Sequence, residues 1–130
     1  MTGAAGFIGS TLAERLVAEG HSVVGVDCFT GYYPREQKEP NLADLRKIDQ
    51  FELRQLDLRT DDLSGLLDEV DTVFHQAGQP GVRHSWSTGF NDYLTHNVLA
   101  TQRLLEESLQ ADLSRFVYAS SSSVYGNSEH

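Results

Sequence analysis

Three glycines near the start of the chain have the spacing of a phosphate-binding loop. Gly3, Gly6 and Gly9 recur at every third position, and an apolar pattern of helical period follows them. Glycine lets the backbone approach an anion closely. The first turn of a helix presents unpaired N–H groups and the positive end of its dipole. Residues 2–9 therefore predict a loop that can hold a pyrophosphate.

An acidic residue follows at the distance that a dinucleotide site requires. Asp27 closes the apolar run of residues 21–27, which we predict as a buried parallel strand. An acid at this point accepts hydrogen bonds from the adenosine ribose and repels a 2′-phosphate. No Arg or Lys lies in the next few residues, so the pattern favours NAD over NADP. The competing interpretation is a glycine-rich turn and an aspartate that caps the next segment.

Two further segments follow predicted strands. Asp57 could accept from the adenine amino group and Leu58 could donate its N–H to the ring, although helix capping explains the pair equally well. In residues 75–83, small residues such as Gly78 let a cofactor pass close to the backbone. His75 is interpreted as a structural residue, and Arg83 as an anion contact or an ordinary surface residue.

The last predicted strand ends in four serines, residues 120–123. Hydroxyl groups at the carboxyl edge of a parallel sheet face the usual ligand crevice and could bind a sugar hydroxyl or a carbonyl. A polar loop is the alternative interpretation. The sequence has no Gly-x-Ser-x-Gly turn, so a hydrolytic serine is not supported.

Alternating elements must position these residues. We predict helices over residues 6–19, 42–48, 62–69 and 90–109, strands over 21–27, 51–56, 71–75 and 115–120, and loops over 28–41 and 76–89. Short apolar strands separated by helices indicate right-handed crossovers, and therefore an α/β fold with a parallel sheet. The 130 residues are enough for one domain.

Composition excludes several classes of function. The net charge of −9 argues against non-specific nucleic-acid binding, and no apolar run is long enough to span a membrane. Cys28 is the single cysteine, so a reducing compartment, the cytoplasm, is expected. The histidines are scattered without zinc spacing, so no metal is expected.

Taken together, these segments resemble the extended short-chain dehydrogenase/reductases that act on nucleotide sugars. Residues 2–10 resemble the fingerprint TGxxGFIGS, residues 75–78 the HxAG segment, and residues 120–126 the SSxxVYG strand end. Residues 97–101 resemble the N-V-x-G-T helix, with Ala100 in place of the usual glycine. The resemblance implies a Rossmann-type doubly wound parallel sheet. It implies NAD bound by Gly3, Gly6, Phe7, Ile8, Gly9, Asp27, Asp57, Leu58, Ala77, Gly78 and Asn97.

The resemblance also implies a reaction. The residue that matches Ser121 would hydrogen-bond the 4-oxygen of a sugar nucleotide and assist proton transfer, and Arg83, Ser122 and Ser123 would contact that substrate. The 4,6-dehydratases have an Asp-Glu pair where Ser122 and Ser123 stand, which counts against dehydration. The serine run and residues 79–83 are most similar to UDP-glucuronate 4-epimerases, with UDP-glucose 4-epimerases as the near alternative.

Two parts of the family pattern are not found in this sequence. The first strand should precede Thr2, and a catalytic Tyr-x-x-x-Lys and a substrate-binding part should follow Tyr125. We therefore expect an incomplete Rossmann domain over residues 1–130, a fragment that folds poorly and is inactive by itself. The alternatives are a non-catalytic NAD-binding module, a truncated gene product, or a dehydratase or decarboxylase of the same family. Full-length relatives are expected to be homodimers.

Overall fold

Four short parallel strands form the centre of the protein. The computed structural model describes residues 1–81 and 85–126. The strands are β1 (Val23–Asp27), β2 (Phe51–Gln55), β3 (Thr72–His75) and β4 (Arg115–Tyr118). β1 pairs with β2 and β3 pairs with β4, both in parallel. All four predicted strands are present, each shortened at one end.

Thr2 joins the two strand pairs. It forms parallel bridges to both Val26 and His75. The Thr2 N–H donates to the Phe74 carbonyl at 3.0 Å, and the Val26 N–H donates to the Met1 carbonyl at 2.8 Å. The order across the sheet is therefore β2, β1, Thr2, β3, β4. The resemblance assigns the central position of the sheet to a strand before Thr2. In this structure Met1 and Thr2 occupy that position.

Three helical segments connect and flank the strands. They are α1 (Phe7–Ala18), α2 (Arg35–Leu42) and a composite helix of α3 (Phe90–Tyr93), a π-helical segment (Leu94–Leu99) and α4 (Ala100–Ser108). The first and last match the predicted helices closely. Gly20 follows α1 with a φ of 90°, which suits the glycine predicted to end that helix. In the described ranges, none of the helices is both long and apolar enough to cross a membrane.

The prediction for residues 28–48 was wrong. The segment predicted as a loop contains α2, and the predicted helix over 42–48 is only a 3₁₀ turn at Leu45–Lys47. Asn41 lies inside α2, and its amide donates to the Ala5 carbonyl at 3.0 Å instead of capping a helix. Pro40 within α2 lowers its local helix propensity. The helix forms despite this residue and contacts the glycine loop through Asn41.

The helix predicted over residues 62–69 was also wrong. Residues 64–69 form turns, and Gly65 and Glu69 have φ values of 71° and 62°, which an α-helix does not allow. The leucines of the predicted stripe, Leu63, Leu66 and Leu67, are nevertheless buried. The apolar spacing identified the buried residues, and the backbone buries them through turns.

Two apolar clusters cover opposite faces of the sheet. One packs Val17 of α1 and Leu42 of α2 against Val23, and the other packs Leu104 of α4 against Val26. Val23 and Val26 point to opposite faces because side chains alternate along a strand. Helices on both faces of a parallel sheet make this a doubly wound α/β fold.

Candidate functional site

The glycine loop lies so close to neighbouring backbone that side chains do not fit. Gly3 has a φ of 68°, and a Cβ on it would be 2.8 Å from the Ala77 nitrogen. A Cβ on Gly9 would collide with the Gly3 carbonyl oxygen. Glycine is therefore required at both positions, by the backbone conformation and by the contact with residues after β3.

The first turn of α1 offers hydrogen-bond donors to a ligand. Gly6 is the N-cap and provides no side-chain cap, and the first turn carries no acidic residue. The Ser10 N–H donates to the Gly6 carbonyl, so the regular helical bonding begins there. The N–H groups of Phe7, Ile8 and Gly9 precede this bond, at the positive end of the helix dipole.

A cavity of about 300 Å³ lies in front of this turn. Its lining includes ten of the residues predicted to bind the cofactor: Gly3, Gly6, Phe7, Ile8, Gly9, Asp27, Asp57, Leu58, Ala77 and Gly78. These residues come from the carboxyl ends of three strands and from the loop after Thr2. The structure thus brings together segments that are up to 75 positions apart in the sequence.

Asp27 is held by three hydrogen-bond donors. Its Oδ2 accepts from the Ala5 N–H at 3.0 Å, and its Oδ1 accepts from the Phe29 N–H at 2.8 Å and from Lys38 Nζ at 3.1 Å. The side chains of Asp27 and Lys38 are only 6% and 7% exposed. The carboxylate is therefore oriented between the glycine loop and α2, with a counter-charge beside it.

Sequence reasoning missed Lys38. It lies on α2, the helix predicted as loop, and reaches Asp27 from eleven positions downstream. The aromatic rings of Phe29 and Tyr33 lie 5.7 and 5.2 Å from its ammonium group. The sequence indicated only that no basic residue follows Asp27 directly. No local sequence pattern predicts that a lysine eleven positions later contacts the end of β1.

Asp57 is bound by its own neighbour. Arg59 donates to its oxygens from Nε at 2.9 Å and from Nη2 at 2.7 Å, and the Arg59 N–H donates at 2.9 Å. These hydrogen bonds hold the pKa of Asp57 below its ordinary value. Asp57 stays ionised, and most of its hydrogen-bonding capacity is used within the protein.

His96 was also missed, and it lines the same cavity. Its Nδ1 lies 2.7 Å from the Asp92 carbonyl oxygen and 3.4 Å from Nη1 of Arg59. Its Nε2 is buried and has no hydrogen-bond partner in the part of the chain that the structure describes. Its place in the sequence, beside Asn97 in the helix motif, gave no indication of this environment.

His75 connects the sheet to the long helix. Its side chain is fully buried, with Nδ1 2.6 Å from the Thr2 hydroxyl and Nε2 2.8 Å from the Thr101 hydroxyl. Thr101 donates onward to the Asn97 carbonyl at 2.8 Å. Burial, with a smaller contribution from the Met1 ammonium group, lowers the pKa of His75 to about 4. The imidazole is therefore neutral and structural, as the sequence analysis predicted.

A second cavity of about 500 Å³ adjoins the first and shares the backbone from Ala77 to Pro80 with it. Asn97, the remaining residue predicted to bind the cofactor, lines this cavity and is not among the lining residues of the first. Its Oδ1 accepts from the Gln79 N–H at 2.6 Å, and its Nδ2 donates to the Gln79 carbonyl at 3.1 Å. Both ends of the amide therefore hold the loop after β3 in place.

Of the residues predicted to contact the substrate, one lines the second cavity and two do not. Ser121 lines the second cavity, and its Oγ accepts from the Ser123 N–H at 3.2 Å. Ser122 and Ser123 are exposed and lie outside the cavity lining. Arg83 lies outside the described residues.

The two cavities together form one groove along the carboxyl edge of the sheet. One end has a buried carboxylate and free helix N–H groups, and the other has hydroxyl groups. This arrangement suits an elongated ligand with an anionic centre.

Comparison with known proteins gives concordant matches. The pattern of the NAD dependent epimerase/dehydratase family matches residues 1–130. The uncharacterized UDP-glucose epimerase YtcB of Bacillus subtilis (strain 168) is 46% identical, over 99% of this chain and 41% of that protein. The UDP-glucose 4-epimerase of Mycolicibacterium smegmatis is 42% identical, over 97% of this chain and 39% of that protein.

A solved structure matches closely as well. The UDP-glucuronic acid 4-epimerase of Bacillus cereus, in complex with UDP-glucuronic acid and NAD, superimposes with a TM-score of 0.93 at 42% identity. The match covers 99% of this chain and 41% of that one. The chain therefore spans about 40% of the length of the relatives that it matches.

Proposed function

Because this chain belongs to the NAD dependent epimerase/dehydratase family, we propose that it is the NAD-binding portion of a nucleotide-sugar 4-epimerase. The proposed substrates of the whole enzyme are UDP-glucuronate or UDP-glucose, which are the sugars named for its relatives. The proposed reaction is transient oxidation of the sugar at C4, followed by reduction from the other face.

The observation that carries this proposal is the shared cavity of the glycine loop and Asp27. Gly3 and Gly9 keep the backbone accessible, and the free N–H groups of Phe7 and Ile8 suit a pyrophosphate. Asp27 and Lys38 would hold the hydroxyl groups of the adenosine ribose. Leu58 would lie along the adenine, and Gly78 would leave room for the nicotinamide half.

The second cavity is the proposed sugar site. When bound, NAD supplies the hydride acceptor and donor, and the protein orients the sugar and manages protons. Ser121 would hydrogen-bond the 4-oxygen of the sugar from the cavity wall. Arg83, Ser122 and Ser123 remain proposed substrate contacts on the strength of the resemblance alone.

We propose that the 130 residues bind NAD without completing a reaction. No tyrosine of this sequence has a lysine four positions later. The Tyr-x-x-x-Lys that supplies the catalytic base in the family is therefore not among these residues. Ser121 is a hydroxyl donor and acceptor with no partner base in the described cavity lining. The proposed role of the chain is therefore cofactor binding and presentation of the nicotinamide edge.

Isothermal titration calorimetry with the purified chain tests the proposal. We expect saturable binding of NAD, weaker binding of NADP because Asp27 opposes a 2′-phosphate, and no conversion of UDP-glucuronate. Absence of NAD binding by a cooperatively folded chain would refute the cofactor role. Turnover of UDP-glucuronate would refute the proposed lack of activity.

A further inference from the structure

The hydrogen bonds around the buried His75 side chain can run in only one direction. The Thr101 hydroxyl lies 2.8 Å from the Asn97 carbonyl oxygen, which only accepts, so it donates its single proton there. Towards Nε2 of His75, also at 2.8 Å, the same hydroxyl can therefore only accept. The ring proton of His75 must then lie on Nε2.

The other ring nitrogen continues the same direction. Burial lowers the pKa of His75, so the ring is neutral and Nδ1 carries a lone pair. The buried Thr2 hydroxyl donates to this nitrogen at 2.6 Å and accepts from the Ala77 N–H at 3.2 Å. All the protons of this network therefore point from Ala77 towards the Asn97 carbonyl. We call these five residues the His75 network.

Both ends of the His75 network meet the wall that the two cavities share. That wall is the backbone from Ala77 to Pro80, which lines both cavities. Ala77 is the first member of the network. At the other end, the side chain of Asn97 accepts from the Gln79 N–H at 2.6 Å and donates to the Gln79 carbonyl at 3.1 Å. His75 thus connects, through two threonine hydroxyls, the groups that hold the start and the middle of the wall.

We propose that His75 is a positioning residue, whose proton on Nε2 fixes the shared wall against the long helix and so shapes the part of the groove that receives the nicotinamide half of the cofactor. This inference rests on the proposed function. If the network is broken at Nε2, a buried donor loses its acceptor, and the helical turn that carries Asn97 loses a tie to the end of β3. The adenosine half would meet Asp27 and Leu58, which lie outside the network.

Nuclear magnetic resonance on the isotopically labelled chain tests the direction of the network. Two-bond correlations between ring protons and ring nitrogens distinguish a nitrogen that bears a proton from one that does not. The signals that disappear in His75→Gln identify this histidine among the others. We expect its protonated nitrogen to be Nε2. A proton on Nδ1 in the folded chain would reverse the network and overturn the inference.

Calorimetry with two ligands separates the wall from the rest of the groove. NAD spans both halves of the proposed cofactor site, whereas ADP carries only the adenosine and two phosphates. Thr101→Val removes the acceptor of Nε2 and keeps nearly the same shape. Thr101→Ala removes the same hydroxyl and is the second variant, for the case that valine prevents folding. His75→Gln keeps a donor and an acceptor in one amide.

The same long helix offers a matched control. The Thr95 hydroxyl donates to the Asn91 carbonyl at 3.0 Å, as Thr101 does to Asn97, but Thr95 lies outside the His75 network. Thr95→Val therefore removes an equivalent bond along the helix and leaves the wall in place. Urea unfolding of each variant establishes that binding is compared between folded proteins.

We expect Thr101→Val to weaken NAD binding about fivefold, which is the effect of one net hydrogen bond, and to leave ADP binding unchanged. His75→Gln should keep most of the affinity for NAD. Thr95→Val should bind both ligands as the unaltered chain does.

Three results would overturn the inference while leaving the proposed function intact. They are equal losses of NAD and ADP binding when the Thr101 hydroxyl is removed, unchanged NAD binding in the same variants, and a proton on Nδ1 of His75. A folded unaltered chain that binds neither ligand would instead overturn the proposed function, and this inference with it.

Discussion

The two cavities along the sheet edge differ in how firmly hydrogen bonds and ion pairs hold the polar groups that line them. In the first, Asp27 is buried and accepts from the glycine loop and from α2, and the carboxylate of Asp57 accepts from Arg59. In the second, Tyr118 is 51% exposed, and the lining serines Ser120 and Ser121 are exposed as well. The first cavity has a buried, hydrogen-bonded carboxylate in its wall, while the second presents its hydroxyl groups on an open surface.

The difference follows from the segments that form each region. Three strand ends, the glycine loop and α2 converge on the first cavity, and a buried ion pair ties two of them together. The second cavity is held by hydrogen bonds to the loop after β3, from the amide of Asn97 to the Gln79 backbone and from the Tyr93 hydroxyl to the Pro80 carbonyl. Stability should therefore depend strongly on residues of the first cavity and weakly on those of the second.

Removing the buried carboxylate should have the largest effect. Asp27→Ala leaves the Lys38 ammonium and two backbone N–H groups buried without their acceptor, and we expect the free energy of unfolding to fall by about 3–5 kcal/mol. Urea denaturation measures it. Glu19→Ala is the control, because the Arg15–Glu19 pair is exposed and should contribute less than about 1 kcal/mol. If Asp27→Ala and Glu19→Ala lose the same unfolding free energy, the buried ion pair of the first cavity is not a major source of stability.

The buried histidine predicts a pH dependence. The pKa of His75 is about 4 in the folded chain and 6.5 unfolded, so the unfolded state binds more protons between these values. Stability should fall by about 3 kcal/mol as the pH drops from 6.5 to 4. His75→Gln should remove this component, while effects of the carboxylates and the Met1 amine remain in both proteins. If the unfolding free energies of the unaltered chain and of His75→Gln change in parallel with pH, His75 does not titrate as inferred.

Adding a side chain to the glycine loop should lower the free energy of unfolding by a smaller but measurable amount. Gly3→Ala places a Cβ against the Ala77 backbone at a φ of 68°, and we expect a loss of about 2 kcal/mol with weakened NAD binding. Gly31→Ala is the control, because its added Cβ meets nothing within 4 Å beyond its chain neighbours and its φ is not positive. If both variants unfold at the same urea concentration as the unaltered chain, the close packing of the loop is not stabilising.

The second cavity should give the smallest effect on stability. Ser121→Ala removes an exposed hydroxyl that accepts one backbone N–H, and we expect a change of less than about 1 kcal/mol in unfolding free energy. NAD binding should also change little. A loss as large as that of Asp27→Ala would show that the serine segment is part of the folded core, and the contrast between the cavities would fail.

Prediction from the sequence succeeded where the signal is local. The period of the apolar residues located α1, the long helix and all four strands. The glycine spacing and the aspartates at strand ends, together with the family resemblance, pointed to ten residues that line the first cavity. The failures, α2 and the turns at residues 64–69, lie where contacts distant in sequence or single left-handed residues decide the backbone.

The sequence by itself determined the glycine loop, the strand that ends at Asp27 and the alternation of helices and strands, because these depend on backbone freedom and side-chain period within a few residues. Only the tertiary structure decided that Lys38 returns to Asp27, that Arg59 binds Asp57, and that Asn97 holds the loop after β3. Those contacts depend on how separate elements pack together. Small shifts of a whole helix make or break them, and no local pattern encodes that geometry.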